Sequence, residues 1–210
     1  MLKTRTLCSL LIGAAAVAGA LECGGTSDTT SPAGTGVISL VLTDAPLPFD
    51  SVKSVDVFVV RIDARQADAD STAADSHVDD ANADGWTTLA TPNRSIDLLA
   101  LRSGKTQSLG EKSLANGSYR AFRLILDVTK SSVTLADGTT LSGTSSPGVK
   151  FPSAAHSGLK IELDQTVTVS DSTTKVLIDF DVGSSFVMRG SSLARNGLLF
   201  KPVIRATVMK

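Results

Sequence analysis

The sequence contains few of the side chains on which enzymes usually rely. Its 210 residues include two histidines, His77 and His156, and two cysteines, Cys8 and Cys23. A nucleophilic triad requires a histidine held between an acid and a nucleophile, and structural zinc sites require several cysteines or histidines. Neither a G-x-S-x-G nor an H-E-x-x-H pattern occurs. We therefore expect a protein that is not an enzyme.

An excess of charge of one sign is also missing. Lysine and arginine number 20 against 21 aspartates and glutamates, which gives a formal net charge of −1. Proteins that bind nucleic acid usually carry a basic stripe and aromatic side chains that stack on the bases. Here the basic residues are scattered, and Trp86 and Tyr119 are the single tryptophan and the single tyrosine. The composition argues against a nucleic-acid partner.

Long apolar runs are absent except at the N-terminus. Residues 7–20 are rich in Leu, Ala, Val and Gly, and they follow a short segment that carries Lys3 and Arg5. This order is typical of a bacterial secretory signal peptide, and the run is shorter than the ~20 apolar residues of a membrane-spanning helix. We predict a signal peptide over residues 1–22 and export from the cytoplasm.

The end of this signal allows two kinds of processing. Residues 18–20 (Ala-Gly-Ala) suit cleavage before Leu21, which would give a secreted protein. Alternatively, Cys23 is the lipid-modified residue of a lipoprotein, although Glu22 departs from the small residue usual before that cysteine. Lipidation would explain a lone cysteine in an oxidising compartment.

Residues 23–36 are small and polar and are predicted to form a flexible tether. The expected location is the cell envelope, membrane-anchored through Cys23 and periplasmic or surface-exposed, and otherwise outside the cell.

Residues 37–210 are expected to form one all-β domain. Short β-branched stretches recur between Gly, Pro and Asp turn signals, and no segment sustains the 3.6-residue period of a helix. Residues 52–62 are apolar on both faces, which is typical of a central strand. Asp137-Gly138 is a favoured hairpin turn, and Tyr119 is placed like the corner tyrosines of sandwich folds. The prediction is an antiparallel Greek-key β-sandwich, immunoglobulin-like or transthyretin-like.

An acidic insertion interrupts this pattern at residues 67–85. In its last part, Asp80, Asn82 and Asp84 alternate as the first ligands of a calcium loop do, and Trp86 stands where such loops supply a backbone carbonyl. The position of the usual bidentate glutamate holds a threonine instead. The insertion is interpreted as a solvated acidic loop or, alternatively, as a weak calcium site. No other cofactor is expected.

Four aspartates are predicted near strand ends: Asp44, Asp127, Asp179 and Asp181. Asp179 and Asp181 point to the same face because side chains alternate along a strand. One interpretation is a metal or ligand site at one end of the sandwich. The favoured interpretation is structural: Arg123 pairs with one of these aspartates across strands, and Asp44 caps the turn that follows it.

Short segments along the domain resemble one family. They are residues 42–46 (LTDAP), 85–86 (GW), 97–99 (DLL), 117–119 (GSY) leading into 123–124 (RL), 158–161 (GLKI), 179–181 (DFD) and 201–205 (KPVIR). In this order they resemble the envelope domain known as domain of unknown function 4382, found in many bacterial and archaeal lipoproteins. The resemblance implies an anchored or secreted β domain without established catalytic residues. The acidic insertion and the glutamate before Cys23 depart from the family pattern.

These features together predict a non-catalytic module for binding, adhesion or surface structure, with a partner in the envelope or outside the cell. Two alternatives stay open. One is a calcium-dependent protein that binds carbohydrate or a surface layer. The other is a hydrolase with an unrecognised site, for which converging carboxylates such as Asp179 and Asp181 would be the candidates.

Overall fold

The chain is mostly β-strand in the part described by its structure, a computed structural model covering residues 34–44, 51–67, 85–152 and 158–209. The strands are β1 (Thr35–Asp44), β2 (Val52–Gln66), β3 (Trp86–Ala90), β4 (Arg94–Asp97), β5 (Gln107–Ala115), β6 (Gly117–Leu126), β7 (Ser132–Leu135), β8 (Thr140–Ser142), β9 (Val149–Lys150), β10 (Leu159–Val169), β11 (Thr173–Phe180), β12 (Phe186–Met188), β13 (Leu198–Phe200) and β14 (Ile204–Met209). The helical segments are a 3₁₀ turn (Leu98–Leu101), α1 (Val182–Ser185) and α2 (Leu193–Asn196). None of the helices in these residues is long and apolar enough to span a bilayer. The all-β prediction is confirmed.

The strands form two large sheets and one small sheet. Sheet A has the order β14-β11-β1-β5, and sheet B has the order β10-β6-β2-β7-β8, with β3 and β4 also paired with β2. Sheet C has the order β12-β13-β9. Most pairs are antiparallel, but β1–β11 and β9–β13 are parallel. The chain passes through sheet B between β1 and β11, so no tight hairpin imposes an antiparallel direction on them. The Greek-key arrangement stays a prediction.

Sheets A and B pack together around one hydrophobic core. Along β1, every second side chain is at most 1% exposed, namely Ile38, Leu40 and Leu42. They belong to one buried cluster with side chains of β2, β6, β10 and β11, as the two-residue period of a half-buried strand requires. Tyr119 donates its hydroxyl hydrogen to the carbonyl oxygen of Ala115 at 3.1 Å. This bond ties the β5–β6 corner and confirms the structural role predicted for the tyrosine.

β2 is the central strand of sheet B, as its sequence predicts. Its second half pairs with β3 on one side and with β6 on the other. Up to Val59 the buried valines have odd numbers, but a β-bulge between Val59 and Arg61 shifts the register. Beyond the bulge, Ile62 and Ala64 occupy the core. Asp63 consequently lies on the opposite face of the sheet, because one extra residue exchanges the two faces.

The beginning of β1 defines what we call the near pole of the body. Here the N–H of Asn116 donates to the carbonyl oxygen of Gly34 at 2.7 Å, and the Asn116 side chain donates to Asp171 at 2.7 Å. The acidic insertion leaves the body at the same pole, since Ala67 donates its N–H to the carbonyl oxygen of Ser118 at 2.8 Å. β1 therefore begins and β2 ends at the same pole.

β1 begins at Thr35, two residues before the predicted domain boundary at residue 37. A Cβ atom on Gly36 would collide with the backbone carbonyl of Ser170. Gly36 therefore allows two backbone segments to approach each other closely. The composition of residues 23–36 alone predicts a flexible tether here.

The end of β1 defines the far pole. Ten residues at ~3.3 Å each separate the two poles by about 33 Å. Thr43 donates its hydroxyl hydrogen to the carbonyl oxygen of Lys105 at 3.0 Å, which brings the segment after the 3₁₀ turn to this pole. α1 begins beside the end of β1, where the N–H of Val182 donates to Asp44.

An aromatic cluster attaches sheet C to sheet A. The ring of Phe200 in β13 lies 5.1 Å from Phe151, 6.1 Å from Phe180 and 5.0 Å from Phe186, measured between centroids. Each such pair contributes about 0.5–1.5 kcal/mol beyond the burial of its area. Phe200 therefore occupies the centre of the contact between the two sheets.

The edges of sheet A lie against the edges of sheet B. On one side, Lys112 of β5 donates a side-chain hydrogen bond to the carbonyl oxygen of Thr88 in β3 at 2.7 Å. Arg94 of β4 similarly donates to the carbonyl oxygen of Ser108 in β5 at 2.5 Å. On the other side, β14 lies against β10. Contacts therefore join sheet B to both edges of sheet A.

Candidate functional site

Three of the four predicted aspartates meet at the far pole. In the parallel pair β1–β11, Thr43 is in register with Asp179, and Asp44 with Phe180. Asp181 follows directly after β11, so Asp44, Asp179 and Asp181 lie at neighbouring strand ends. Burial, and secondarily the charges of Asp179 and Asp181, raise the pKa of Asp44 to about 7. Asp44, Asp179 and Asp181 therefore lie at one end of the sandwich, where β1 and β11 end.

Asp44 is the least solvated member of this group. Its side chain is 5% exposed, and its Oδ1 accepts the N–H of Val182 at 3.1 Å. Within the described part of the chain, its Oδ2 has no hydrogen-bond partner. The turn that Asp44 was expected to cap falls in residues 45–50, outside the described residues. Its partner in the structure is the start of α1, which lies far away in sequence.

Asp181 has a structural role at the same place. Its Oδ1 accepts the N–H of Ser184 at 2.8 Å and its Oδ2 accepts the hydroxyl hydrogen of Ser184 at 2.9 Å. This is the arrangement of a helix N-cap, which satisfies backbone donors at the start of a helix. Asp181 therefore fixes the first turn of α1.

The fourth aspartate, Asp127, lies in a turn after β6 and does not join the group. Its carboxylate accepts the hydroxyl hydrogen of Thr129 at 2.6 Å and forms an ion pair with Lys130 at 2.9 Å. The hydrogen bond from Thr129, followed by that from Lys130, lowers the pKa of Asp127 to about 2. The contacts of this aspartate stabilise its own turn.

Arg123 forms an ion pair across strands, but with Asp63 and not with Asp44, Asp179 or Asp181. The Nη2 and Nε atoms of Arg123 lie 2.8 and 3.2 Å from Oδ2 of Asp63. The side chains are 1% and 0% exposed, respectively. The predicted pairing is wrong because Arg123 belongs to sheet B, where the register places it opposite Asp63, whereas the other three aspartates lie at the end of sheet A.

Asp63 is the centre of a buried polar network that the sequence analysis missed. Its Oδ1 accepts hydrogen bonds from Nε of Arg61 at 2.9 Å and from the hydroxyl of Thr88 at 3.0 Å. Its four bonds match the capacity of a carboxylate, so its burial is compensated. The available signal was the Arg-x-Asp-x-Arg pattern of residues 61–65, which places three charges on one face of an apolar strand.

Trp86 belongs to this network. It is buried at the start of β3, and the guanidinium of Arg123 lies 4.6 Å from the centroid of its ring. The other predicted calcium ligands, Asp80, Asn82 and Asp84, lie outside the described residues, so the calcium loop stays a prediction. In the residues that the structure covers, no three or more His, Cys, Asp or Glu side chains form a group able to hold a metal ion.

Several other predicted features fall outside the described residues. They are the signal peptide of residues 1–22, the lipidation candidate Cys23, and the two histidines, His77 and His156.

Two clefts open at the far pole. The larger has a volume of about 530 Å³ and is lined mainly by apolar side chains, namely Leu135, Ala136, Met188, Leu193 and Ala194. Its polar lining consists of Asp137 and the serines at positions 51, 191 and 192. The smaller, of about 480 Å³, is formed by residues 99–105 and includes Arg102 and Lys105. Both volumes lie in the ~300–1,000 Å³ range of small-ligand pockets. The far pole therefore carries two clefts of ligand size.

The fold and the site define an all-β domain of packed sheets whose buried charges are held in internal contacts and whose clefts lie at one pole. The chain belongs to the family described as Domain of unknown function (DUF4382), which matches residues 35–202. The match begins at Thr35, the first residue of β1. No curated protein and no solved structure matches the chain significantly.

Proposed function

We propose that the protein is exported, is held at the cell envelope by a lipid on Cys23, and acts as a non-catalytic module that presents its far pole to a partner. The observation that carries this proposal is the course of β1. The strand runs from the near pole, where the chain enters the body, to the far pole, where both clefts open.

The length of the tether supports this orientation. Ten residues lie between Cys23 and Gly34, and this stretch of chain spans at most about 40 Å. As a flexible coil it spans about 18 Å on average. A lipid on Cys23 therefore keeps the near pole close to the bilayer. In the proposed orientation, with β1 pointing away from the bilayer, the far pole lies about 33 Å further out.

The chemistry of the far pole favours binding over catalysis. Val187 and Met188 in β12 are 45% and 39% exposed, and Met188 lines the larger cleft. Arg102 and Lys105 supply cations to the smaller one. Methionine and arginine are enriched where proteins contact each other. In contrast, the carboxyl group with the raised pKa, Asp44, is buried where a substrate does not reach it.

The anchor is tested by intact-mass analysis of the protein recovered from the membrane fraction. We expect a diacylglyceryl adduct on a chain that begins at Cys23, and loss of membrane association in Cys23→Ser. Cys8→Ser is the matched control and should leave the mature mass unchanged, because Cys8 lies in the predicted signal. A mature chain that begins at Leu21 would refute the anchor.

The presentation of the far pole is tested by cross-linking in intact cells. A photo-reactive side chain is placed at Met188 on the far pole or, as a control, at the exposed Ser172 on the near pole. We expect a discrete cross-linked product from position 188 and none from position 172. Products from position 172 alone, or from neither position, contradict the proposal.

A further inference from the structure

The smaller cleft at the far pole is built around a sharp turn of the chain. Its two central residues have left-handed backbone, with φ angles of 62° for Ser103 and 77° for Gly104. This is the pattern of a type I′ turn, and it is disfavoured for a residue that carries a Cβ atom, such as Ser103. The first and fourth residues of such a turn have Cα atoms within about 7 Å of each other. Those residues are Arg102 and Lys105, and both line the cleft.

Contacts on both sides hold this turn in place. Oγ1 of Thr43 lies 3.0 Å from the carbonyl oxygen of Lys105 and 3.5 Å from that of Leu101, so the end of β1 fixes the backbone before and after the turn. Nε of Arg102 donates to the carbonyl oxygen of Leu99 at 2.8 Å, which uses one of the five N–H donors of the guanidinium. The fold therefore keeps two cationic residues close together.

No acid of the described chain neutralises these two cations inside the cleft. Within the described residues, neither Arg102 nor Lys105 forms an ion pair, and no acidic side chain lines the smaller cleft. The charge of Arg102 lowers the pKa of Asp44, but burial raises that pKa by more. Asp44 is 5% exposed and accepts the N–H of Val182, and it does not line the cleft. Two like charges held together in this way favour an anion that both can contact.

We propose that the smaller cleft binds a phosphate group, free or as a monoester, between Arg102 and Lys105. Such a group carries close to two negative charges at neutral pH, which matches the two cations. A guanidinium binds two phosphate oxygens at once, and a lysine ammonium adds a compact charge. The hydroxyl of Ser103, which also lines the cleft, is a further donor.

The size of the cleft leaves room for more than the phosphate itself. Its volume of about 480 Å³ is that of a small-ligand pocket, so the organic part of a phosphate ester also fits. This inference rests on the proposed function in one respect, namely that the far pole is the binding end of the body. It does not depend on the lipid anchor.

The test is a phosphate titration of the full chain followed by amide NMR, at about 50 mM sodium chloride where screening is weak. We expect saturable shifts of the Ser103 and Gly104 amides, with a dissociation constant on the order of 1 mM. Acetate, which carries a single charge, should bind at least about tenfold more weakly.

Substitution of each cation identifies the site. Arg102→Gln and Lys105→Gln should each weaken phosphate binding at least about fivefold, and both side chains are exposed, so the fold should be kept. Lys175→Gln is the matched control, because it removes an exposed lysine at the beginning of β11, and it should bind phosphate as the wild type does. The absence of saturable shifts up to about 20 mM phosphate, or binding that either cleft substitution leaves unchanged, overturns the proposal.

Glycerol 3-phosphate, titrated in the same way, distinguishes the two sources of the phosphate group. Binding at least about fivefold tighter than that of inorganic phosphate assigns the cleft to a phosphate ester, and equal or weaker binding assigns it to the free ion. Failure of the titrations leaves the cross-link expected from Met188 unaffected, because Met188 lines the other cleft. Loss of that cross-link with phosphate binding intact would instead contradict the presentation of the far pole alone.

Discussion

The buried pair Asp63–Arg123 gives the most direct test of how this sandwich tolerates charge in its interior. We consider Asp63→Leu and Arg123→Met, which remove one partner each while keeping much of the volume. Asp63→Leu leaves the buried guanidinium of Arg123 without its carboxylate, and losing one partner of a buried pair typically costs about 3–5 kcal/mol. Arg123→Met should cost less, about 2 kcal/mol, because Asp63 keeps its bonds from Arg61 and Thr88.

The double variant separates the interaction from the individual changes. Arg61 and Thr88 lose their bonds to Asp63 in Asp63→Leu and in the double variant alike, whereas only the single variant leaves the guanidinium of Arg123 buried without its carboxylate. We therefore expect the double variant to be at least about 1.5 kcal/mol more stable than the sum of the single changes implies. Asp56→Leu, a half-buried acid on the same strand, is the control and should cost less than about 1 kcal/mol.

The assay is urea unfolding followed by circular dichroism and by tryptophan fluorescence. The chain has one tryptophan, Trp86, and its ring centroid lies 4.6 Å from the Arg123 guanidinium, so fluorescence reports on this site directly. The reasoning fails if the free-energy changes simply add. It also fails if Asp63→Leu costs no more than the Asp56→Leu control.

Three further predictions concern packing and pH. Phe200→Ala should lower the free energy of unfolding by about 3–5 kcal/mol in urea titrations, and Phe151→Ala by less, because Phe200 contacts three rings and Phe151 is only half-buried. Gly36→Ala should cost about 1–3 kcal/mol in thermal unfolding, because the new methyl group meets a backbone carbonyl, whereas Thr35→Ala at the exposed neighbouring position should be nearly silent. The pKa of Asp127 is lowered from 3.8 to about 2, so its stabilising contribution is present above pH 3.8 and is lost as the pH falls through about 2. Asp127→Asn should therefore be less stable than the wild type at pH 6 by about 1 kcal/mol and equally stable near pH 1.5, and a constant difference would contradict this assignment.

The features of the fold that depend on local sequence could be predicted. The alternating and double-sided apolar patterns identify β1 and β2, and the corner role of Tyr119 follows from its place after a turn. The parallel pairing of β1 with β11 could not be found in this way, because more than 130 residues separate the partners and no hairpin links them.

The candidate site could be predicted only in part. Asp44, Asp179 and Asp181 stand at or just after the ends of apolar strands that reach the same pole, and their shared location depends only on those strand ends. The partner of Arg123 depends on a bulge of one residue in β2, which reverses the faces of all the residues that follow. The burial of Asp44 likewise depends on α1, a single turn whose four residues carry no helical periodicity to detect.

The contacts along the edges of sheet A affect how the protein associates with its own copies at high local concentration. Lipid-anchored molecules are confined to two dimensions, where neighbours collide often, and an uncovered strand invites another chain to extend the sheet. Arg94 engages one carbonyl oxygen of β5, and β14 lies against β10, so sheet B flanks both edges of this sheet. For a protein anchored as proposed above, these contacts oppose growth of the sheet from one molecule to the next.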